Sequence, residues 1–271
     1  MLRLVDTHCH LDFERFAADR EEVLRRARAE GVWRMVTLGV DGPSSQAAVA
    51  LARQHEAVYA GVGVHPNDAA RSWQGEASKQ ELRRLAGDPK VVVIGEIGLD
   101  YYRDRTPRPR QRQVLREQLD LAAQLGLPVS LHNREATEDL LALLREWVTE
   151  LRHQNRPLAE RPGVWHAFSG DERDARRALD LGFFLGIGGP VTFKNAPERR
   201  RVLASLPLER LLLETDAPFL APHPYRGRRN EPAYVHLVAQ TIAQVHGRSL
   251  EEVAWRTTQN ACILFAWRDK V

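Results

Sequence analysis

The 271-residue chain is 43% hydrophobic and 28% charged, with 39 Lys and Arg against 36 Asp and Glu for a net charge of +3. These proportions exclude a disordered chain and allow a large buried core, as one barrel or as two smaller domains. No apolar run approaches the roughly 20 residues that cross a bilayer, and Cys9 and Cys262 alone exclude a disulfide framework. The opening residues lack the basic-then-apolar pattern of a secretion signal, so a reducing cytoplasm is the expected location. Positive charge is almost all arginine, since Lys79, Lys90, Lys194 and Lys270 are the only lysines. Such a mild excess is compatible with an acidic ligand such as nucleic acid but does not require one.

The first apolar run, Leu2 to His8, predicts a strand ending in "VDTHCHLD". Strand alternation puts His8 and His10 on one side and Cys9 on the other. A helical pattern over 19–31 leads to a strand over 34–40, a helix over 44–55 and a strand over 58–65 that ends on His65 in "GVHPND". A helix over 78–87 precedes the strand 91–99, whose run "VVVIGEIGL" is interrupted by Glu96. A helix over 110–126 leads to the strand 128–132, closing on His132 in "SLHNRE", and then to a helix over 136–154. The Pro-containing stretch 153–163 reads as a surface loop. Beyond it lie a strand over 163–168 with His166 in "WHAFSG", a helix over 171–182 and a strand over 183–189. A helix over 197–207, a strand over 210–216 with Glu214 and Asp216 in "LLETDAPFL", and a helix over 231–247 complete the series.

Several helices close on glycine, as in "QLGLPV", the expected C-terminal stop. The strands are continuous Val/Ile/Leu runs, which fits a parallel sheet buried on both faces. Units recurring at a spacing of roughly 30 residues predict an α/β fold, a (β/α)8 TIM barrel forming a single domain over 1–271. An open doubly wound sheet is the competitor, but it gathers its ligand residues at one switch point. Here they are spread over many strand ends, which in a barrel share one mouth.

Taken singly, these residues have ordinary explanations. A histidine at a strand end is often a polar group satisfied by a neighbour; Glu96 can pair with an arginine; Asp216 can cap a following helix; His65, before Pro66, can serve a turn or touch substrate. Taken together, imidazoles and carboxylates at the same ends of separate strands have no packing reason to coincide. A divalent cation explains them, because neutral imidazole and carboxylate are its usual ligands.

The segments "VDTHCHLD", "GVHP", "IGEIGLDYY", "LHNREA", "HAFSG", "ETDAPFLAPHPYRGRRNEP" and "NACILF" together resemble the TatD-type metal-dependent deoxyribonucleases, a branch of the amidohydrolase-like barrels. The resemblance runs from Val5 to about Phe265, and the long "ETDAPFLAPHPYRGRRNEP" block is its most specific part. It implies two divalent metal ions (Mg, Mn or Zn) held by His8, His10, Glu96, His132, His166 and Asp216. Glu96 would bridge them, with His8, His10 and Asp216 on one ion and His132 and His166 on the other. Two departures stand out. Ala167 takes the place where relatives commonly carry Cys, and alternation turns it away from the ligands. Gly186, Gly188 and Gly189 stand where relatives often carry serine and aromatic residues, near Lys194, which puts substrate contacts in question.

The expected activity is metal-dependent hydrolysis of phosphodiester bonds in DNA, with Asp216 as ligand and proton acceptor and Glu214 orienting ligand or water. Arg134, Arg226, Arg228 and Arg229 are candidates for the nucleic-acid backbone, although the "RGRR" run also reads as a solvated basic loop. Tyr101 and Tyr102 can stack on a base or simply pack. An amidohydrolase or aminoacyl-ester hydrolase using the same site is the alternative, and a binding protein without turnover is a third reading. No lysine stands at a strand end to be carbamylated, and Glu96 takes that place, which favours phosphoester chemistry. A monomer with no obligate protein partner and no membrane association is expected.

Overall fold

A computed structural model describes residues 2–267; residue 1 and residues 268–271 of the expected single-domain span lie outside the described residues. Eight strands form one sheet in chain order: β1 (Leu4–Cys9), β2 (Val32–Leu38), β3 (Val58–Val62), β4 (Val91–Asp100), β5 (Val129–Arg134), β6 (Gly163–Trp165), β7 (Phe184–Ile187) and β8 (Leu211–Leu213). Between and after them come α1 (Arg20–Ala29), α2 (Gly42–Gln54), the short α3 (Ala69–Ser72), α4 (Glu76–Ala86), α5 (Arg108–Leu125), α6 (Thr137–His153), α7 (Glu172–Asp180), α8 (Pro197–Ser205), α9 (Val235–His246) and α10 (Leu250–Phe265). Sequential strands with helical connections define the expected (β/α)8 TIM-barrel class. No described helix is long and apolar enough to cross a membrane, and Cys9 and Cys262 are both free and buried.

The described residues group into two compact units. In the first (residues up to 37, 167–175 and from 185 onward), β7 pairs with β8 and β1 with β2, all in parallel. A parallel bridge between Cys9 and Ala217 joins the ends of β8 and β1. Leu211, Leu212 and Leu213 of β8 are fully buried, each worth about 1.5–3 kcal/mol by removal from water. α10 closes this unit: the Asn260 amide donates to the carbonyls of Leu208 and Leu211, both at 2.8 Å, and the Thr258 hydroxyl donates to Arg3 O at 2.8 Å. Sequence reading missed this helix. Its start carries the signal, since the Ser249 hydroxyl accepts the Glu252 N–H at 3.1 Å, and "SLEE" has the S-x-x-E form of a capping box.

In the second unit (residues 38–166 and 176–184), β3, β4, β5 and β6 pair in order and in parallel. β4 is buried along all ten residues, which explains its unbroken apolar reading. α2 begins with a reciprocal cap between Asp41 and Ser44, which satisfies N–H groups that the first helical turn leaves over. α5 ends at Gly126, φ +68°, where a β-carbon would be strained. Buried glutamines on α5 clasp strand ends: Gln118 bonds the N–H and carbonyl of Val64, and Gln111 those of Asp100.

Five strands, β2, β3, β6, β7 and β8, stop earlier than their sequence suggested. β6 ends at Trp165 and β8 at Leu213, because the chain leaves the extended conformation at Ala167 (φ +47°) and Asp216 (φ +57°). The loop 153–163 is also less exposed than expected, since a 3-10 turn over Pro157–Glu160 buries Leu158 and Ala159.

Candidate functional site

In the first unit, β1 delivers His8 on its penultimate residue and His10 just beyond its end. Cys9 points the other way, as alternation requires: its thiol donates to Val36 O at 3.3 Å, and burial pushes its pKa up. Backbone bonds stitch the end of β8 to this edge, the Asp216 N–H donating to His8 O at 2.8 Å and the His10 N–H to Ala217 O at 2.7 Å. That register sets the Asp216 carboxylate 3.5 Å from His10 Nε2. His8, His10 and Asp216 then offer three donor atoms within 4.8 Å of one another, all at least half-buried. Asp216 does not cap a helix, since a loop follows it and α9 begins only at Val235. Its left-handed backbone is uncommon for a residue with a side chain and is held by its surroundings.

The residue before it is anchored. The Thr215 N–H and hydroxyl both donate to the Asp6 carboxylate, at 2.9 and 2.6 Å. Burial pushes Asp6 up to about 8, against the lowering effect of these bonds. Asn230, itself buried, donates through its amide to the carbonyls of Thr215 and Phe219, both at 2.7 Å. Glu214 is fully buried and accepts the Ala167 N–H at 2.6 Å. Ala167 lies beyond the end of β6, so strand alternation does not set its orientation. The glycine at 186, inside β7, also finds a cause: a β-carbon there would lie 2.2 Å from Glu214 Oε2. Lys194 is exposed, with its carbonyl accepting from Arg200.

In the second unit, Glu96 on β4 and His132 on β5 meet at 2.9 Å, Oε1 to Nδ1. His65 Nε2 lies 3.6 Å from the same Glu96 oxygen, and His65, Glu96 and His132 offer donors within 4.8 Å of one another. His65 Nδ1 accepts the Asn67 N–H at 3.1 Å, so a neutral His65 carries its proton on Nε2, toward Glu96. His166, just past β6, is buried, gives its N–H to Leu131 O at 3.0 Å and offers a donor within 4.8 Å of Glu96.

Sequence reasoning missed Asp100. Its Oδ2 lies 3.2 Å from His132 Nε2 and accepts from the Asn67 amide, while Oδ1 accepts the N–H groups of Tyr102 and Arg103. Burial opposes charge on both partners, yet these bonds prevail: the Asp100 carboxyl is held well below the usual range and His132 is raised to about 8. The signal was present, since Glu96, Gly98 and Asp100 fall on one face of β4 at period two. Asp6 stands in the same relation to His8.

The expected substrate contacts divide. The Arg134 guanidinium stacks over the Tyr102 ring at 3.8 Å, and Tyr102 is 54% exposed. The Tyr101 hydroxyl instead donates to Asp139 at 2.6 Å. In "YRGRR", Arg226 stacks over Phe193 at 4.3 Å and bonds the Asn195 side chain, whereas Arg228 is exposed and lines a cavity with Arg15, Gly227 and Arg229. Arg229 is a correction: it makes paired bonds to Asp19 at 2.8 and 2.6 Å and a third to Glu231 at 3.0 Å, so its guanidinium is committed to holding the fold.

A (β/α)8 fold carrying buried imidazole–carboxylate clusters at its strand ends is that of a metal-dependent hydrolase. The model for "TatD related DNase" matches residues 5–266. The chain belongs to this family. It is 43% identical over 262 residues to the "Uncharacterized metal-dependent hydrolase YabD" of Bacillus subtilis, covering 97% of this chain and 98% of that protein. It is 40% identical over 272 residues to the "3'-5' ssDNA/RNA exonuclease TatD" of Cronobacter sakazakii, covering 97% of each. The crystal structure of the TatD homologue YjjV from Escherichia coli superposes with a TM-score of 0.88 at 34% identity, covering 98% of both chains.

Proposed function

We propose that the chain is a deoxyribonuclease that hydrolyses phosphodiester bonds at a centre holding two divalent ions. What supports this above all is that donors from separate segments gather within 4.8 Å of one another, imidazole mixed with carboxylate, as in His8, His10 and Asp216 and around Glu96. His8, His10 and Asp216 fit one ion; Glu96 and His132, with His166, fit the second, and Glu96 is assigned to both. His65, whose Nε2 proton points to Glu96, is assigned to orienting that carboxylate rather than to a metal. The bound ions supply Lewis acidity, polarising phosphoryl oxygens and lowering the pKa of water. Asp216 takes the proton of the attacking water, a role for which a carboxylate in hydrogen-bond reach is suited. Glu214, held by the Ala167 N–H, is assigned to orienting ligand or water.

Family membership supports DNA as substrate, and the exonuclease name of the Cronobacter relative makes single strands the first substrate to try. A monomeric, single-domain protein acting in the cytoplasm completes the reading, with both cysteines buried and unbridged. The test is metal analysis of the purified protein combined with digestion of end-labelled single- and double-stranded DNA. About two ions per chain with metal-dependent cleavage is the expected result. Turnover confined to an amide or ester panel would establish the amidohydrolase instead.

A further inference from the structure

The residues around the Arg228 cavity have no role in the metal clusters. The cavity, about 340 Å³, is lined by Arg15, Gly227, Arg228 and Arg229, a volume at the low end for small-ligand sites. Arg229 is neutralised by Asp19 and Glu231 and also donates to Arg15 O at 2.7 Å, which fixes the segment carrying Arg15. Among the described residues the Arg15 and Arg228 side chains have no carboxylate partner, so the concavity keeps two exposed positive forks.

An aromatic wall adjoins it. The Arg15 guanidinium lies 5.7 Å from the Phe219 ring centre; Phe219 meets Phe13 edge-on at 6.1 Å, and Phe13 stacks on His10 at 4.7 Å. Phe219 and Leu220 are 41% and 47% exposed. A single exposed apolar residue is unremarkable, but these sit on an anchored loop. Asn230 grips the Phe219 carbonyl, its own N–H donates to Pro218 O at 3.1 Å, and Leu220 is held at φ +52°. Holding a residue with a side chain in that region costs free energy, and the anchoring keeps the exposed ring in place.

We propose that Phe13, Arg15, Phe219 and Arg228 form a nucleotide subsite beside the His8–His10–Asp216 cluster. The rings take a base of a single-stranded nucleic acid, and the two arginines take the phosphate that follows it. Aromatic faces accept any base by stacking, and guanidinium forks match phosphate oxygens, so the subsite grips a strand without reading its sequence. This assignment rests on the nuclease reading above and goes beyond it in naming the residues that hold the strand.

The test is fluorescence anisotropy of a 5′-fluorescein oligothymidylate with the metal-loaded full chain and its variants over a series of salt concentrations. Arg15→Ala should weaken binding about tenfold and flatten the log K against log salt slope by about 0.7, the release expected for one single-strand phosphate contact. Phe219→Ala should weaken binding about tenfold with an unchanged slope, as loss of a stacking partner predicts. Circular dichroism and metal content check that each variant folds, with Arg15→Gln and Phe219→Leu carrying the test where an alanine variant does not. Wild-type affinity and slope in folded variants, or no binding by the wild type, would overturn the subsite. A wild type that binds in an Arg15-dependent way but hydrolyses neither this strand nor bis(4-nitrophenyl) phosphate overturns the nuclease reading and leaves the subsite standing.

Discussion

The Asp100 carboxylate and the His132 imidazole face each other at 3.2 Å across β4 and β5, while Glu96 holds the other ring nitrogen at 2.9 Å. Both ring nitrogens are engaged, which fixes the plane of the imidazole and leaves Nδ1 directed at the donor cluster. Asp100 is thus a positioning residue acting through His132. Asp100→Asn keeps an oxygen for the Tyr102 and Arg103 N–H groups but removes the charge facing His132. Folding should survive, and metal affinity, measured by calorimetric titration, should fall about 10–100-fold, the usual cost of losing a carboxylate behind a ligating histidine. Unchanged affinity in the folded variant would remove Asp100 from this role.

The proposed metal ligands lead to two expected outcomes. Chelation should abolish hydrolysis, and restoring a divalent ion should recover it. It should also lower the thermal midpoint, because ions bound only by the folded state stabilise it by mass action. Glu96→Ala should reduce both activity and the metal content per chain. A variant retaining two ions would refute the assignment of Glu96 to both.

How much of this the sequence could reveal depends on the range of each interaction. His8, Glu96 and His132 were legible because polar groups interrupt or end apolar runs, and periodicity alone sets their side of a strand. Asp100 and Asp6 obey the same period and were within reach of the same argument. Other features depend on partners far along the chain. Arg229 looks like a substrate arginine until Asp19, 210 residues earlier, is found beside it. Ala167 could not be oriented by alternation once the strand had ended. The glycine at 186 has no local reason at all; its cause is the carboxylate of Glu214 on the neighbouring segment.

That last contact gives a steric prediction. In Gly186→Ala the new methyl group would meet Glu214 Oε2 at 2.2 Å and its carboxyl carbon at 2.8 Å. Glu214 cannot yield freely, since it is fully buried and its other oxygen holds the Ala167 N–H. The substitution should cost about 1–3 kcal/mol, the usual range for overpacking, read from urea denaturation. In a Glu214→Ala background the same change should cost much less, and the double-mutant cycle isolates the contact. An equal cost in both backgrounds would assign the loss to the backbone instead.

Two neighbouring arginines should separate stability from binding. Arg229 joins Asp19, Glu231 and the Arg15 carbonyl, and Arg26 adds a paired bond to the same Glu231 at 2.8 and 2.9 Å. Removing Arg229 takes charge-assisted hydrogen bonds away from Asp19 and Glu231 and leaves both carboxylates to Arg26, so Arg229→Ala should destabilise the chain by about 1–3 kcal/mol, in the range for charged hydrogen bonds. Arg228 is exposed and has no such partner among the described residues, so Arg228→Ala should change stability by less than about 0.5 kcal/mol. It should nevertheless weaken oligonucleotide binding and flatten its salt dependence by about 0.7. Chemical denaturation and anisotropy on the two variants make the comparison, and a reversed pattern would exchange the roles assigned to these side chains.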